Sequence, residues 1–267
     1  MKILDLENPF GGAVYHEETV TSTFDLARKL ASQNSVPGTV ISADFQEAGR
    51  GKMGRPWITE RGKNLLFTIL LRYRDYSCIP AALTLRTGLA VALAIEDFAP
   101  ALSGKVQVKW PNDIMIEDRK AAGILTEADG EKVYIGVGVN VAQREFQLPA
   151  GSPENRFRPL SIIQVYPDMP ENGRFILLEK ILKRLHREIK GEEENSWRDR
   201  LLSRLYKRGE TVVFCEGSAN NATETPSLVK GILTGLGPGG ELLIITNGIT
   251  NGKGNELSFV SGELCQG

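Results

Sequence analysis

The strongest constraint on the fold is a change of character near Arg208. Before it, segments with strand and helix patterns alternate; beyond it, only short β-type segments recur, separated by Gly, Asn and Pro. Alternation is typical of a sheet domain covered by helices, whereas closely spaced short strands are typical of a small barrel. The sequence therefore predicts two domains, 1–208 and 209–267, with an α/β sheet domain in the first.

Apolar periodicity predicts the individual elements. Ser22 is a predicted helix N-cap, since it precedes Asp25 and an apolar face of Leu26, Ala27 and Leu30. Further helices are predicted at 81–98, 174–190 and 197–206. Strands are predicted at 13–16, 39–45, 64–72, 106–110, 114–116, 122–127 and 133–141, and beyond the boundary at 211–215, 228–233, 241–246 and 257–260.

Composition argues against several classes of protein. The net charge of −1 gives no reason to expect nucleic acid or an anionic membrane as a partner. Segment 81–98 is too short and too charged for a membrane span, and the N-terminus lacks a signal-peptide pattern, so we expect a cytoplasmic protein. The three cysteines form no CxxC pair and there are two histidines, so we expect reduced thiols and no structural metal held by the protein (Cys78, Cys215, Cys265; His16, His186).

A glycine- and arginine-rich run, GRGKMGRPW at 49–57, carries the most chemistry. Its glycines allow backbone amides to approach a ligand closely, Arg50, Lys52 and Arg55 supply positive charge, and Trp57 offers a flat apolar face. A ligand with negative charge and an aromatic base, such as a nucleotide, fits this combination. A surface loop with solvated cations is the plain alternative.

The run also contains a formal GxGxxG after a predicted strand. A dinucleotide-binding unit requires a helix to begin there, with an acidic residue about twenty positions later. A polar stretch and another strand follow instead, so the helix N-terminus that binds pyrophosphate is missing. Kinase and P-loop signatures are absent as well.

Three further motifs surround this run in the predicted sheet. KWPND at 109–113 ends one strand, RKAAGIL at 119–125 begins the next, and GVGVN at 136–140 lies on a third. Each alone fits a turn, a hairpin end or a packing glycine. Together they predict a glycine-lined sheet face rimmed by cations.

With Ser22-Thr23 upstream, these motifs resemble, in order and spacing, those of the biotin protein ligases, and the resemblance extends from about Tyr15 to the C-terminus. It implies an α/β (α+β) biotinyl/lipoyl ligase catalytic domain with a mixed sheet, and a small SH3-like β-barrel C-terminal domain. It also implies an enzyme that uses ATP with Mg²⁺ to form biotinyl-5′-AMP. The acyl group then passes to a lysine on a biotin carboxyl carrier domain of acetyl-CoA carboxylase or a related carboxylase.

The resemblance also implies roles for individual residues. Lys120 and Arg50 are the expected catalytic cations, and Asp113 is expected to orient the acceptor lysine or to bind metal. Contacts to biotin are expected from Ser22, Thr23, Phe24, Gln46, Arg50, Gly51, Lys52, Lys120 and Gly123, and contacts to ATP or the adenylate from Arg55, Trp57, Lys109, Asn112 and Asn140.

Two positions depart from the family pattern. Phe24 stands where an asparagine is usual, which removes one polar contact to biotin. Lys52 replaces an arginine, which keeps the charge but loses the bidentate fork. We expect looser retention of the adenylate as a result.

Three alternatives stay open. A lipoate or octanoate ligase on the same fold would need a different acyl pocket. A biotin-responsive repressor would need a helix-turn-helix of about 60 residues, whereas about a dozen residues precede the predicted core; we expect no direct DNA binding. A purely binding module is disfavoured, since every candidate charge is present. Monomer and homodimer are both compatible with the sequence.

Overall fold

The computed structural model describes residues 1–146, 157–192, 196–216, 227–250 and 253–265. Its larger sheet has eight strands in the order β1-β2-β3-β4-β8-β7-β6-β5. The strands and helices of this part are β1 (Lys2–Leu4), β2 (Val14–Val20), α1 (Thr23–Ser32), β3 (Val40–Gln46), β4 (Leu65–Arg72), α2 (Leu83–Phe98), β5 (Gln107–Lys109), β6 (Asp113–Ile116), β7 (Arg119–Asp129), β8 (Lys132–Val139), α3 (Gly173–Lys190) and α4 (Trp197–Leu202).

The sheet is mixed, as predicted. Strands β2 and β3 run parallel, joined through α1, and the other neighbours are antiparallel. The β6–β7 hairpin turns at Glu117 and Asp118, whose φ angles of 49° and 57° are those of a tight hairpin turn. This hairpin brings the KWPND and RKAAGIL motifs side by side.

Helices cover both faces of the sheet. Helix α1 packs on one face through Phe24, Ala27 and Ala31, and α2 and α3 form the core on the other. Tyr76–Phe98 has a mean hydropathy of 1.8 and is long enough to span a membrane by length and composition. Because α2 lies buried between the sheet and α3, its apolar character is accounted for by the core, as predicted.

The C-terminal region forms a separate antiparallel sheet, as predicted. It contains β9 (Thr211–Glu216), β10 (Ser227–Leu236), β11 (Leu242–Thr250), β12 (Lys253–Phe259) and β13 (Glu263–Leu264), in the order β12-β11-β10-β9-β13. The indole Nε1 of Trp110 donates to the carbonyl of Gly240, 2.9 Å away, so the KWPND turn is tied to this sheet. The boundary at 208/209 stays a prediction.

Several predicted boundaries differ from those in the structure. Helix α4 ends at Leu202, not at Tyr206, because Leu205 pairs with Val108 and the Tyr206 amide donates to the Val108 carbonyl. Strand β7 begins at Arg119, three residues before the predicted start. The short edge strands β1 and β13 were not predicted, since two or three residues carry no measurable periodicity.

Candidate active site

A cavity of about 250 Å³ opens between the two sheets. Its floor is the face of β7 and β8, the 49–57 loop and the KWPND turn form its walls, and β13 closes one side. Of the predicted site residues, all but Ser22 and Asn140 line it: Thr23, Phe24, Gln46, Arg50, Gly51, Lys52, Arg55, Trp57, Lys109, Asn112, Asp113, Lys120 and Gly123.

Glycines on the cavity floor make room for aromatic rings. A Cβ atom on Gly138 would lie 2.5 Å from Cε2 of Trp57, and one on Gly136 would lie 2.1 Å from Cε2 of Phe24. Any larger residue would therefore expel these rings. The groups that approach the glycine face in this structure are the protein's own aromatic side chains. Trp57 Nε1 is buried and finds no acceptor among the described residues.

Two lysines share one carboxylate beside this floor. Lys120 Nζ lies 2.6 Å from Oδ1 of Asp113, and Lys109 Nζ lies 3.9 Å from its Oδ2. Burial alone would raise the pKa of Asp113, but the lysines outweigh it and hold that pKa below its usual value. Burial also lowers the pKa of Lys109, which contacts the Phe157 ring. Two cations around one anion leave the site with positive charge.

The glycine–arginine loop is folded back on itself. The amide of Gly51 donates to the Arg55 carbonyl (2.7 Å), and that of Trp57 donates to the Gly49 carbonyl (2.9 Å). Met53 at its tip has a φ of 60°, a conformation that most side chains avoid. These bonds fix the spacing of the cations at the cavity mouth. Arg50 pairs with Asp25 on the first turn of α1 (2.6 Å).

The same loop is docked on the C-terminal sheet. Lys52 Nζ donates to the Gly262 carbonyl at 3.0 Å. Arg55 donates two hydrogen bonds to Glu263, of 2.9 and 2.8 Å, and this pairing holds the pKa of Glu263 below its usual value. Lys52 was predicted to contact biotin and Arg55 to contact ATP or the adenylate, and here both side chains have protein partners. Sequence analysis missed Glu263 because a lone glutamate near the C-terminus carries no pattern.

A hydrogen-bond network joins α1 to the cavity. The amide and hydroxyl of Thr23 donate to Oε1 of Gln46 (2.8 and 3.0 Å), and the buried Thr68 hydroxyl donates to Thr23 (2.8 Å). Thr68 was missed, since one threonine within an apolar strand looks like packing. Ser22 instead acts as the predicted N-cap and accepts from the Phe24 amide. Its predicted contact with biotin stays a prediction.

Asn112 and Asn140, which were predicted to contact the nucleotide, each donate a side-chain hydrogen bond to a backbone carbonyl. Asn112 Nδ2 donates to the Ile124 carbonyl at 2.9 Å, and Asn140 Nδ2 donates to the Lys120 carbonyl at 3.2 Å. Asn112 also lines the cavity, whereas Asn140 is buried behind it. Their predicted contacts with the nucleotide remain predictions.

The structure thus combines a mixed α/β sheet domain, an antiparallel C-terminal sheet and a cation-lined cavity between them. Residues 16–140 match the model of the Biotin/lipoate A/B protein ligase family. A biotin protein ligase from Aquifex aeolicus, solved in complex with biotin and ATP, superposes with a TM-score of 0.71 at 28% identity, covering 94% of this chain and 97% of that one. The chain is thus similar to this family over residues 16–140, and to the Aquifex aeolicus biotin protein ligase over most of its length.

Two curated relatives match over shorter segments. A bifunctional ligase/repressor of Bacillus subtilis is 38% identical over 141 residues, which is 51% of this chain and 42% of that protein. A biotin–[acetyl-CoA-carboxylase] ligase of Mycobacterium tuberculosis is 33% identical over 130 residues, which is 47% of this chain and 48% of that protein. The matched segments thus span less than half the length of both relatives.

Proposed function

We propose that this protein is an ATP-dependent ligase that activates biotin as biotinyl-5′-AMP. In the first step the biotin carboxylate attacks the α-phosphate of ATP and pyrophosphate leaves. In the second step a lysine amine on a biotin carboxyl carrier domain attacks the mixed anhydride, and AMP leaves. The complex of the Aquifex aeolicus relative with biotin and ATP supports these two molecules as the substrates of the first step. The name of the Mycobacterium tuberculosis relative supports a carboxylase as the acceptor.

The observation that carries the proposal is the group of cations around a glycine-lined floor. A carboxylate must approach a polyanion, and two unit charges 4 Å apart repel by about 1 kcal/mol in water and about 4 kcal/mol at an effective dielectric of 20. Lys120 lines the cavity beside Lys109, with Arg50 on the facing loop. In this proposal Lys120 holds both the carboxylate and the α-phosphate, and Arg50 stabilises the charge that develops.

The remaining walls suit the other parts of the substrates. The Thr23–Gln46 pair offers donors and acceptors for the polar head of biotin. Phe24 covers apolar floor and offers no polar contact. Trp57 offers a ring face for adenine. The folded loop at the mouth would exclude water, which matters because an acyl adenylate hydrolyses readily.

Mg²⁺ enters the proposal as the companion of the ATP phosphates. Among the described residues no group of three or more His, Cys, Asp or Glu side chains is arranged to hold a metal ion. The carboxylates that line the cavity, Asp113 and Glu263, are paired with Lys120 and Arg55. Mg²⁺ commonly keeps several waters and binds through substrate phosphates, so we assign no reaction step to a protein-held metal.

ATP–pyrophosphate exchange in the presence of biotin, of lipoate or of neither acid tests the proposal. We expect exchange with biotin and little with lipoate, and exchange that ignores biotin would overturn the assignment. Lys120→Ala should lower the exchange rate by at least 10²-fold, as removal of one group that stabilises a transition state typically does. Lys105→Ala is the matched control, since Lys105 is exposed and lies outside the cavity. Near-normal exchange in Lys120→Ala would remove Lys120 from its role.

A further inference from the structure

Asp113 lies at the centre of the cationic part of the cavity. Its side chain is 15% exposed, and Lys120 Nζ contacts one carboxylate oxygen at 2.6 Å while Lys109 Nζ faces the other at 3.9 Å. Lys109 is 5% exposed, so it has little water to replace this partner. Asp113 is therefore the counter-ion on which the placement of both ammonium groups depends.

Hydrogen bonds also fix the backbone of Lys120. Its amide donates to the Arg158 carbonyl (2.8 Å), and its carbonyl accepts from the Leu160 amide (2.9 Å) and from Asn140 Nδ2 (3.2 Å). The β6–β7 register also shifts between Ile114 and Met115, next to Lys120. Such bulges commonly re-aim a side chain near an active site. Contacts within the protein thus hold both the backbone and the ammonium group of Lys120.

The expected alternatives for Asp113 suit this geometry less well. An incoming acceptor lysine must be a neutral amine to attack, and a carboxylate already paired with the Lys120 ammonium is a weak base for it. Burial would raise the pKa of Asp113, but the lysines hold it below its usual value, which weakens the base further. A metal at Asp113 would have to approach Lys120 and Lys109 closely, and like charges oppose that approach.

We propose that Asp113 is a positioning residue for Lys120 in the acid-activation step. Its carboxylate forms an ion pair with the Lys120 ammonium and holds it toward the point where the biotin carboxylate meets the α-phosphate. This inference rests on the proposed function. It assigns Asp113 to the first half-reaction, whereas orientation of the acceptor lysine would assign it to the second.

Asp113→Asn distinguishes the two half-reactions. One assay measures ATP–pyrophosphate exchange with biotin, and the other measures transfer from supplied biotinyl-5′-AMP to a carrier-domain lysine. We expect kcat for exchange to fall about 10- to 100-fold, the range known for removing a residue that orients a metal ligand in other active sites. KM for biotin and ATP should stay within about threefold, and transfer from the supplied adenylate should also stay within about threefold.

The other outcomes overturn the inference. Normal exchange with impaired transfer would make Asp113 an acceptor-orienting residue, and an equal loss in both assays would give it a general structural role. Asp113→Glu should recover part of the exchange rate, because it restores a carboxylate near Lys120, and no recovery would contradict the assignment. Glu117→Gln, at the exposed hairpin turn, controls for the change of charge. A wild-type protein without biotin-dependent exchange would refute the proposed function instead.

Discussion

Glu263 on β13 pairs with Arg55 of the glycine–arginine loop. The variant Glu263→Gln tests how much this pair contributes to the docking of the loop on β13. The carboxylate accepts two hydrogen bonds from Arg55, but the two side chains are 36% and 47% exposed, so water screens the pair. Exposed pairs contribute about 0.2–1 kcal/mol, and two parallel bonds put this pair at the upper end. The variant should thus lose about 1 kcal/mol of docking free energy, which lowers the ratio of docked to undocked loop by about fivefold.

Hydrogen exchange provides the assay. The amides of Gly51 and Trp57 are bonded within the loop, and we expect both to exchange about fivefold faster in Glu263→Gln. Glu210→Gln is the control, since Glu210 is exposed in the same region. Unchanged exchange in the loop, or equally faster exchange throughout the protein, would refute a docking role for Glu263.

The effect also has a predicted pH dependence. Hydrogen bonds from Arg55 hold the pKa of Glu263 below its ordinary value of 4.5. A group whose pKa is lowered by folding stabilises the folded state fully above its unfolded pKa and loses that effect as pH falls through the folded pKa. The difference between wild type and Glu263→Gln should therefore be complete at pH 7 and decrease as the pH falls below 4.5 and through the lowered pKa of Glu263. A difference that does not decrease as the pH is lowered from 7 to below 4.5 would contradict this origin.

Two further predictions concern Gly138 on the cavity floor and Lys52 on the glycine–arginine loop. Gly138→Ala should lower the free energy of unfolding by about 1–3 kcal/mol, because its Cβ would meet the Trp57 ring. Chemical denaturation measures this loss. The loss should disappear when Trp57 is also replaced by alanine. Lys52→Arg should slow release of biotinyl-5′-AMP, since arginine restores a bidentate donor; stopped-flow release rates measure this, and equal off-rates would contradict it.

Much of the fold followed from local pattern. Continuous apolar runs predicted buried strands such as 64–72, and helical periodicity predicted 174–190, which the structure has as Gly173–Lys190. These signals depend on neighbours within a few residues, so one sequence contains them. The end of α4 depends instead on Val108, which is distant in the chain and pairs with Leu205. Periodicity carries no information about such a partner.

Most of the residues expected at the site line the cavity, although their roles stay predictions. Glycines among cations marked one surface that a charged ligand can approach, and the resemblance to the biotin protein ligases supplied the other positions. The partners of those cations were not readable from the sequence. Arg55 and Lys52 face β13, Arg50 faces Asp25, and Lys120 faces Asp113. A charged side chain pairs with whatever the fold brings within a few ångströms. The sequence thus indicated which side chains gather at the cavity. Only the tertiary structure decided which of them touch, because the strand register sets Lys120 against Asp113, the docking of α1 sets Asp25 against Arg50, and the packing of the two sheets sets Glu263 against Arg55.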